Sequence, residues 1–434
     1  MLQLGDICLL QGAEVEPVDL IIGGSPCQNI SISGNGTGLE GIESRLFFEQ
    51  MRVIREMREA GGSPRYMVWE NVANIFSCNS GNDFRRVLSD TIGIVDEKAG
   101  EAFSMKDVPK NGWKKAGALF GGNWSIAWRL TNARFFGVPQ SRRRIAVVAD
   151  FDGLSAPDVL FGMKPLEGTP TRPVMFERFT DGVWTECRDE IMKHSGYGEG
   201  PEVPCEVNLI DFLDTEVDQK YYLRASSCHS LIRLATNRNK AIDPVMLEGL
   251  EGNITLDPRE NGFPPGDPFI VETLRFNGFG DYKAGDYCGT LRASGGDVGV
   301  GGECLVVTDY RTDNSSQLLI RKLAIEECER LQGYDEGWTD IGPFISPNRK
   351  ERHSSLSARG KALGNSFALP QWTPLLSGIY DRCEQKTMGS LFDGIGGGPL
   401  IWCRLGGTPV WASEVDSFPS AVTKKRFGDA TKED

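Results

Sequence analysis

The stretch Val18-Asp19-Leu20-Ile21-Ile22-Gly23-Gly24-Ser25-Pro26-Cys27-Gln28 passes from an apolar run into a glycine-containing loop that carries a cysteine. A short apolar run that ends in turn residues is typical of a buried strand. Open α/β sheets bind ligands at the carboxyl ends of their strands, where this loop is expected to lie. Cys27 is therefore either a small buried hydrophobic residue, as most free cysteines are, or a nucleophile presented at a ligand site.

Strand and helix patterns alternate through residues 1–150. Apolar runs predict strands at 20–23, 66–69 and 145–148, and helical spacing covers 46–60. This alternation predicts an α/β fold with a parallel or mixed sheet covered by helices. From residue 151 to 318, Gly and Pro are frequent and no long amphipathic helix is evident, so we expect a separate, smaller, loop-rich and mainly β domain there.

Residues 388–434 restart the α/β pattern around a glycine loop, Asp393-Gly394-Ile395-Gly396-Gly397-Gly398. Glycines at a helix start let backbone amides approach a ligand closely. Glu414 ends the next strand about twenty residues later, where an acid accepts hydrogen bonds from ribose hydroxyls. The pattern predicts an adenosine-containing cofactor. The short G-x-G-G form favours S-adenosylmethionine over a nicotinamide dinucleotide, because no pyrophosphate has to be bound.

The composition narrows the class of protein. Eleven scattered cysteines without a C-x-x-C pair argue against a disulfide framework and a zinc site, so we expect no metal.

The chain has no 18-residue apolar run and no basic leader, so we expect a soluble cytoplasmic protein without a membrane partner. A net charge of −13 argues against a nucleic-acid partner, but the basic stretches at 140–144 and 349–361 allow local phosphate contacts.

Six motifs taken together resemble those of the DNA (cytosine-5) methyltransferase family. They are Gly24-Ser25-Pro26-Cys27-Gln28, Trp69-Glu70-Asn71-Val72, Gln140-Ser141-Arg142-Arg143-Arg144-Ile145, Glu329-Arg330-Leu331-Gln332-Gly333-Tyr334, Gly364-Asn365-Ser366 and Leu391-Phe392-Asp393-Gly394-Ile395-Gly396-Gly397. The resemblance covers the chain apart from about 152–310. It implies a Rossmann-like, S-adenosylmethionine-dependent methyltransferase domain, with a target-recognition domain inserted at 151–318.

The order of these motifs differs from the usual one. The cofactor loop opens an ordinary family member but comes last here, and Leu4-Gly5-Asp6-Ile7 resembles the segment that normally follows the helix after Glu414. The chain thus resembles a circularly permuted member, with catalytic parts at 1–150 and 319–387 and the cofactor part at 388–434. Permutation requires termini that lie close together, so Met1 and the region of Phe427 should be neighbours.

The resemblance implies methyl transfer from S-adenosyl-L-methionine to carbon 5 of a cytosine flipped out of duplex DNA, leaving S-adenosyl-L-homocysteine. Cys27 would add to C6, since thiolate addition turns C5 into a nucleophilic enamine carbon. Glu70, followed by Asn71 in the acid motif, would hold or protonate N3 of the base. Arg144 would lie near Glu70 and the carbonyl of the base.

The resemblance places further residues in this site. Arg142 would support the loop or bind a phosphate, and Gln140 would be a neighbour in the catalytic set. In the long polar loop after Cys27, Ser31 and Ser33 would enter the gap left in the DNA. The pair Thr290-Leu291 resembles the one recurrent pair of the target-recognition domain, with Thr290 near the DNA backbone.

The implied cofactor contacts come from three parts of the chain. Phe392 would stack near the adenine, Glu414 would bind the ribose, and Asp6 would bind the adenine amino group. The full implied set is Phe392, Gly394, Gly396, Gly397, Glu414, Asp6, Ile7, Asn365 and Ser366. Family members often carry aspartate two residues before the phenylalanine, and this position is Ser390 here. A contact to the cofactor ammonium is then made differently.

Three alternatives remain open. An RNA cytosine-5 methyltransferase would use the same chemistry, although the large variable segment favours duplex DNA, whose sequence is read from the major groove. A nicotinamide-dependent oxidoreductase would leave the Pro-Cys and Glu-Asn-Val motifs without a role. A catalytically inactive DNA-binding protein would not need every motif residue. We expect a monomeric bacterial or phage enzyme that modifies host or phage DNA, with a restriction endonuclease as a partner where the system contains one.

Overall fold

The computed structural model describes residues 1–26, 46–162, 174–187, 199–200, 205, 207–278, 281–294, 299, 302–346 and 350–428. Contacts divide the chain into two units. The sheet unit comprises Met1–Asn132, Arg143–Pro204 and Gln371–Asp434, and the second unit comprises Ala133–Arg142 and Cys205–Pro370.

A mixed sheet of ten strands, counted over the described residues, forms the centre of the sheet unit. The strands are β1 (Leu2–Gln3), β2 (Leu20–Gly23), β3 (Tyr66–Val72), β4 (Ala116–Phe120), β5 (Ser125–Asn132), β6 (Arg143–Asp150), β7 (Met175–Thr180), β8 (Val183–Glu186), β15 (Thr387–Leu391) and β16 (Thr408–Ser413). Their order is β1-β16-β15-β2-β3-β6-β5-β4-β7-β8. The first five run parallel, and β6 is antiparallel to β3. The predicted α/β fold is confirmed.

Helices cover this sheet because their apolar faces pack on its buried strands. They are α1 (Leu46–Gly61), α2 (Asn82–Ile92), α3 (Glu97–Ser104), α4 (Ala156–Phe161), α10 (Leu369–Tyr380), α11 (Gly397–Arg404) and α12 (Ser417–Phe427). Phe47, Met51 and Ile54 of α1 share one core with Ile21 of β2 and Met67 of β3. Every residue of β2 is buried, which is why its sequence is an unbroken apolar run.

The second unit contains a four-stranded antiparallel sheet in the order β10-β9-β11-β12 and a two-stranded pair. The strands are β9 (Asp267–Gly278), β10 (Asp281–Ala284), β11 (Cys304–Thr312), β12 (Ser315–Lys322), β13 (Pro343–Ile345) and β14 (Glu351–His353). The helices are α5 (Ala225–Asn237), α6 (Pro244–Leu256), α7 (Pro258–Asn261), α8 (Ile325–Gln332) and α9 (Leu356–Asn365). Leu231 of α5 and Leu250 of α6 pack with Leu274 and Val307 of the sheet.

Two features of residues 151–318 differ from the sequence prediction. Helices α5 and α6 are each 13 residues long, whereas no long helix is predicted there. The start of α6 carries a readable signal, because Asp243 accepts hydrogen bonds from Val245 N and Met246 N and is followed by Pro244. The large sheet also continues past residue 150 into β7 and β8, while residues 133–142 belong to the second unit.

The two ends of the described chain meet in the sheet unit. Leu2 and Gln3 of β1 pair in parallel with Trp411 and Ala412 of β16. Gln3 Nε2 also donates to Thr423 Oγ1 of α12 at 3.0 Å. The first strand and the helix that ends at Phe427 are therefore neighbours, as a permuted order requires. In the described ranges, no helix combines the length and apolar character needed to cross a membrane.

Candidate active site

The carboxyl ends of the parallel strands bring several predicted site residues to one edge of the sheet. Gly23, the last residue of β2, pairs with Leu391 of β15 and Trp69 of β3, and Leu391 pairs with Ser413 of β16. The loops that follow these strands therefore start side by side. They carry the cysteine motif, the acid motif, the glycine loop and Glu414, so this edge is where a ligand of the sheet unit is expected.

The start of the cysteine loop is fastened to β3. Trp69 Nε1 donates to Ser25 Oγ at 3.1 Å, and Asn71 Nδ2 donates to Ser25 O at 3.3 Å. Ser25 and Asn71 are 3% and 1% exposed. Asn71 was predicted in the catalytic set, and these contacts make it a positioning residue that fixes the chain ahead of Pro26. Cys27, Ser31 and Ser33 lie outside the described residues.

Glu70 and Arg144 form an ion pair at the same edge, as the sequence analysis expects. Arg144 Nε lies 2.8 Å from Glu70 Oε1, with the two side chains 13% and 17% exposed. The pair forms because β3 and β6 are antiparallel neighbours, with Val72 opposite Arg144. An added Cβ at Gly24 would lie 3.0 Å from Glu70 Oε2. Glycine at that position therefore leaves room for the carboxylate beside the cysteine loop.

Two further polar residues of the arginine motif, Gln140 and Arg142, do not reach the surface. Gln140 and Arg142 lie in the second unit and are 0% and 1% exposed. Gln140 Nε2 donates to Leu331 O at 3.0 Å, while Arg142 donates to Leu291 O at 2.8 Å and Gly364 O at 3.0 Å, and also to Ser366 O. Both were predicted in the catalytic set, and these contacts with main-chain carbonyls agree with the supporting role that the resemblance implies for Arg142.

Thr290 and Leu291 hydrogen-bond to the same arginine motif. Thr290 Oγ1 donates to Ser141 O at 2.6 Å, and Leu291 N donates to Gln140 Oε1 at 3.2 Å. Leu291 is 4% exposed. Both residues were predicted to contact DNA, but their described contacts anchor their own segment to the arginine motif, and the burial of Leu291 excludes its side chain from a DNA surface.

The Gly364-Asn365-Ser366 motif also lies in the second unit. A Cβ at Gly364 would lie 2.2 Å from Arg292 C, so only glycine allows this close approach of two backbones. Ser366 Oγ hydrogen-bonds to Tyr334 OH at 2.6 Å, and Asn365 is exposed. Tyr334 is the last residue of the motif at 329–334, whose sequence alone indicates no role for it.

The glycine loop after β15 has the strained backbone of a ligand loop. Phe392, Gly394 and Gly396 have φ values of 54°, 59° and 80°, in the left-handed region. A Cβ at Gly394 would meet no atom within 4 Å, so open space adjoins this residue. A Cβ at Gly396 would lie 2.5 Å from the ring of Phe427, so that glycine is required by the packing of α12. Gly397 begins α11 and is buried.

Glu414 holds the glycine loop from the neighbouring strand end. Gly394 N donates to Glu414 Oε2 at 2.8 Å, and Val415 N and Asp416 N donate to Glu414 Oε1 at 2.8 and 2.7 Å. Burial raises the pKa of the Glu414 carboxyl, and these amide donors oppose that shift. The carboxylate retains further lone pairs, so it can still accept hydrogen bonds from ribose hydroxyls.

The segment after β1 contains two residues of the predicted cofactor set, the exposed acid Asp6 and the core residue Ile7. Asp6 is exposed and its Oδ1 accepts a hydrogen bond from Cys8 N at 3.0 Å. Ile7 was predicted in the cofactor set, but it is 4% exposed and belongs to the hydrophobic core. Ser413 Oγ donates to Gly5 O at 2.7 Å, which ties this segment to the end of β16.

Comparison with known proteins finds one matching family model and several similar methyltransferases. Residues 2–94 match the family described as C-5 cytosine-specific DNA methylase. Similar curated proteins include the DNA N-6-adenine-methyltransferase of Escherichia phage P1, 24% identical over 88% of this chain and 56% of that protein. Another is the Type II methyltransferase M.HhaI of Haemophilus parahaemolyticus, 28% identical over 38% of this chain and 39% of that protein. The chain spans about half the length of the curated relatives it matches.

The crystal structure of the Dnmt2 methyltransferase of S. pombe aligns with 87% of this chain and 83% of that chain at 13% identity. The TM-score of this alignment is 0.41. The sequence match is the informative one, because residues 2–94 contain the cysteine loop and Glu70. The match supports the predicted cofactor, S-adenosyl-L-methionine. Residues 2–94 are thus similar to the C-5 cytosine-specific DNA methylase family, the family that the motifs predict.

Proposed function

We propose that this chain transfers a methyl group from S-adenosyl-L-methionine to carbon 5 of a flipped-out cytosine in duplex DNA, within a short recognition sequence. The observation that carries the proposal is the Glu70–Arg144 ion pair, which lies at the sheet edge where Ser25 is fastened to β3. Cys27 follows Ser25 by two residues in the sequence, and the proposal requires its thiol to meet the base beside this acid.

The reaction needs a thiolate and an acid on opposite parts of the base. The Cys27 thiolate adds to C6 while Glu70 holds a proton at N3, which draws electrons from the ring and makes C5 nucleophilic. When bound, S-adenosyl-L-methionine would supply the methyl group for C5 and leave as S-adenosyl-L-homocysteine. Loss of the C5 proton to water would then expel the Cys27 thiolate, return the N3 proton to Glu70 and restore the aromatic ring.

Glu70 and Arg144 have different roles in this reaction. Glu70 Oε1 is bound to Arg144 Nε, and Glu70 Oε2 lies beside Gly24, where the cysteine loop begins. The guanidinium fixes the rotamer of the carboxylate, so that the oxygen beside the loop is the one that meets the base. Trp69 and Asn71 keep the chain ahead of Pro26 in place and thereby limit the positions that the thiol can take.

The residues of the glycine loop fit an adenosyl amino acid. Open space adjoins Gly394, Glu414 retains acceptor lone pairs, and one oxygen of the Asp393 carboxylate is buried without a partner among the described residues. Glu414 would bind the ribose, Phe392 would contact the adenine, and the exposed Asp6 would bind the adenine amino group. Asn365 and Ser366 belong to the second unit, and their part in cofactor binding rests on the family resemblance.

The order of the motifs supports a circularly permuted family member. The glycine loop follows β15 near the end of the described chain, while β1 pairs with β16 and Gln3 bonds to Thr423. The second unit would read the DNA sequence, and the protein would act as a cytoplasmic monomer that modifies bacterial or phage DNA. A companion restriction endonuclease would make it part of a restriction–modification system.

A second candidate is methylation of adenine N6, because that activity stands in the name of the phage P1 relative. The amino group of adenine attacks a methyl donor without a covalent enzyme adduct, so it has no use for Cys27. The two activities are separated by incubating the protein with tritium-labelled S-adenosylmethionine and duplex DNA, and then hydrolysing the DNA to its bases. Label in 5-methylcytosine supports the proposal, and label in N6-methyladenine contradicts it.

The same assay tests the mechanism and the substrate. Cys27→Ala should abolish transfer to cytosine, and a duplex with 5-fluorocytosine should trap a covalent complex because the fluorine cannot be eliminated. Retained transfer by Cys27→Ala contradicts the nucleophile. Transfer RNA in place of DNA tests the RNA alternative, and bisulfite sequencing of the methylated DNA identifies the recognition sequence.

A further inference from the structure

A cavity of about 680 Å³ lies in the second unit, beside the start of α5 and beside α7. Charged side chains make up most of its lining: the cations Lys220, Arg224 and Arg259, and the acids Asp218, Asp257 and Glu260. Among the residues that the structure describes, none that we assign to methyl transfer lines this cavity. A ligand bound there would therefore have a role of its own.

Two arginines of the cavity have no counterion. In the described part of the chain, the guanidinium groups of Arg224 and Arg259 make neither an ion pair nor a hydrogen bond. Lys220 differs, because its Nζ lies 3.2 Å from Asp218 Oδ2. Arg224 is exposed and Arg259 is half-buried, so a ligand can reach both. Each offers N–H donors in a planar fork that fits an oxyanion.

The two arginines also repel each other. Burial lowers the pKa of the Arg259 guanidinium, and the charge of Arg224 lowers it further. Asp257 and Asp218 oppose this shift, each by less than Arg224 contributes. The acids of the cavity therefore do not compensate for the proximity of the two positive charges.

A third cation is exposed to the same repulsion. Burial lowers the pKa of the Lys322 ammonium at the end of β12, and Arg259 and Arg224 add to this shift, while Cys328 and Glu303 oppose it. Like charges held together without a counterion are unfavourable. A bound anion would remove the repulsion, so the cluster indicates an anionic ligand.

The start of α5 adds main-chain donors to the arginine pair. Arg224 is the N-cap residue of this 13-residue helix and makes no side-chain capping bond, so the first amides, those of Ala225 and Ser226, lack a cap. Both residues line the cavity. Uncapped amides at a helix start favour an oxyanion that arginine side chains already hold.

We propose that this cavity binds a phosphate group, held by the guanidinium groups of Arg224 and Arg259 with the first amides of α5. A phosphate has enough charge and enough acceptor oxygens to serve two guanidinium forks and two amides, whereas a carboxylate has only two oxygens. The cavity also has room for the molecule that carries the phosphate. That molecule is either a free phosphate compound or DNA, whose backbone offers the same group. The inference does not depend on the proposed methyl transfer.

Isothermal titration of the whole protein with inorganic pyrophosphate tests the site. Arg224→Gln and Arg259→Gln should each weaken pyrophosphate binding by about tenfold to a hundredfold, because each removes charge-assisted hydrogen bonds. Arg224→Lys keeps the charge without the planar fork and should give a smaller loss. Arg233→Gln is the matched control: Arg233 is an exposed arginine of the same helix outside the cavity lining, and its loss should change the affinity by less than about twofold.

Urea unfolding of the same variants separates binding from folding. Removing one of two repelling cations should not lower the free energy of unfolding, so a loss of affinity at unchanged stability supports the site. A wild-type protein that binds no pyrophosphate overturns the inference. So does pyrophosphate binding that Arg224→Gln and Arg259→Gln leave unchanged, or that Arg233→Gln weakens to the same extent.

Duplex DNA distinguishes the two sources of phosphate. If the site takes a DNA phosphate, pyrophosphate should compete with DNA, and Arg224→Gln and Arg259→Gln should each reduce the slope of log K for DNA against log salt by about 1. If it takes a free phosphate compound, both variants should bind DNA as the wild type does, and DNA should not displace pyrophosphate. Either result supports a phosphate site once pyrophosphate binding depends on the two arginines.

Discussion

Arg144 and Glu70 are joined across two antiparallel strands, with Arg144 Nε 2.8 Å from Glu70 Oε1. The contact links the arginine motif to the acid motif, which are more than seventy residues apart in the chain. It leaves Glu70 Oε2 beside Gly24, where the cysteine loop begins. The functional unit at this edge is thus a carboxylate with one oxygen held and the other directed toward the loop.

The first prediction concerns this pair. Glu70→Gln should lower kcat for cytosine methylation by about a hundredfold to ten-thousandfold, because a general acid is lost. Arg144→Ala should give a smaller loss, since the carboxylate remains but its orientation is released. Arg143→Ala is the control: Arg143 is exposed, pairs with Glu199, and should leave kcat within about twofold. Steady-state transfer of labelled methyl groups measures all three.

The second prediction concerns the tether of the cysteine loop. Trp69→Phe keeps the aromatic packing but removes the hydrogen bond from Trp69 Nε1 to Ser25 Oγ. We expect a loss of about 1 kcal/mol in the free energy of unfolding and a fall of kcat by about tenfold, because the loop loses one of its fixed points. Affinity for S-adenosylhomocysteine should not change. An unaltered kcat would contradict the positioning role of Trp69.

The third prediction separates two glycines of the cofactor loop. Gly394→Ala places a methyl group in the open space where the cofactor is proposed to bind, so it should lower cofactor affinity. The left-handed backbone at this position should also lower the free energy of unfolding of the variant by about 1 kcal/mol. Gly396→Ala adds a clash with the Phe427 ring to the same backbone strain, so its stability loss should be larger by about 1–3 kcal/mol. Urea unfolding and ligand titration, carried out on both variants, distinguish the two effects.

The fourth prediction concerns the buried Arg142. Arg142→Ala leaves Leu291 O, Gly364 O and Ser366 O without this donor. It should destabilise the protein by about 3–5 kcal/mol, because each buried carbonyl left without a donor costs about 1–3 kcal/mol. Arg143→Ala, one residue away on the surface, should stay within about 0.5 kcal/mol of the wild type. Denaturant unfolding of both variants is the measurement. A small effect of Arg142→Ala would show that the second unit does not depend on this buried network.

The fifth prediction is a pH dependence of stability in the ligand-free protein. The folded pKa of Asp393 is raised to about 7, above the value of about 4 expected in the unfolded chain. The folded state therefore binds more protons than the unfolded state between these values, and this group lowers stability as the pH rises through the window from about 4 to 7. Asparagine does not ionise, so Asp393→Asn does not lose stability over this pH window.

The melting temperature of Asp393→Asn relative to wild type should accordingly rise between pH 5 and pH 8 by a few degrees, on the order of 2–4 °C per kcal/mol. Asp181→Asn, which removes an exposed acid in the turn between β7 and β8, is the control and should show no such trend. A melting temperature of Asp393→Asn below wild type at pH 8 would mean that the ionised carboxylate stabilises the loop.

Several parts of the site follow from local sequence alone. The apolar run of β2 followed by glycine predicts a strand end and its loop, and the strand–glycine loop–helix–strand–acid order predicts the relation between Gly394 and Glu414. These features are local because strand periodicity, glycine conformation and the spacing to the acid are properties of short stretches. The same reasoning predicts no helix at α5 or α6, although the Asp243-Pro244 start of α6 carries a capping signal.

The sequence by itself determined the fold class, the family resemblance and the two clusters of motifs, because each rests on short-range patterns of residue type and spacing. Only the tertiary structure decided which motif residues can meet a ligand. Glu70 and Arg144 stay partly open, whereas Arg142, Gln140 and Leu291 of equally recognisable motifs are buried and hold backbone segments together. Burial and partner choice arise from packing between segments far apart in the chain. The burial of Asp393 Oδ2, which has no partner among the residues that the structure describes, is likewise visible only there.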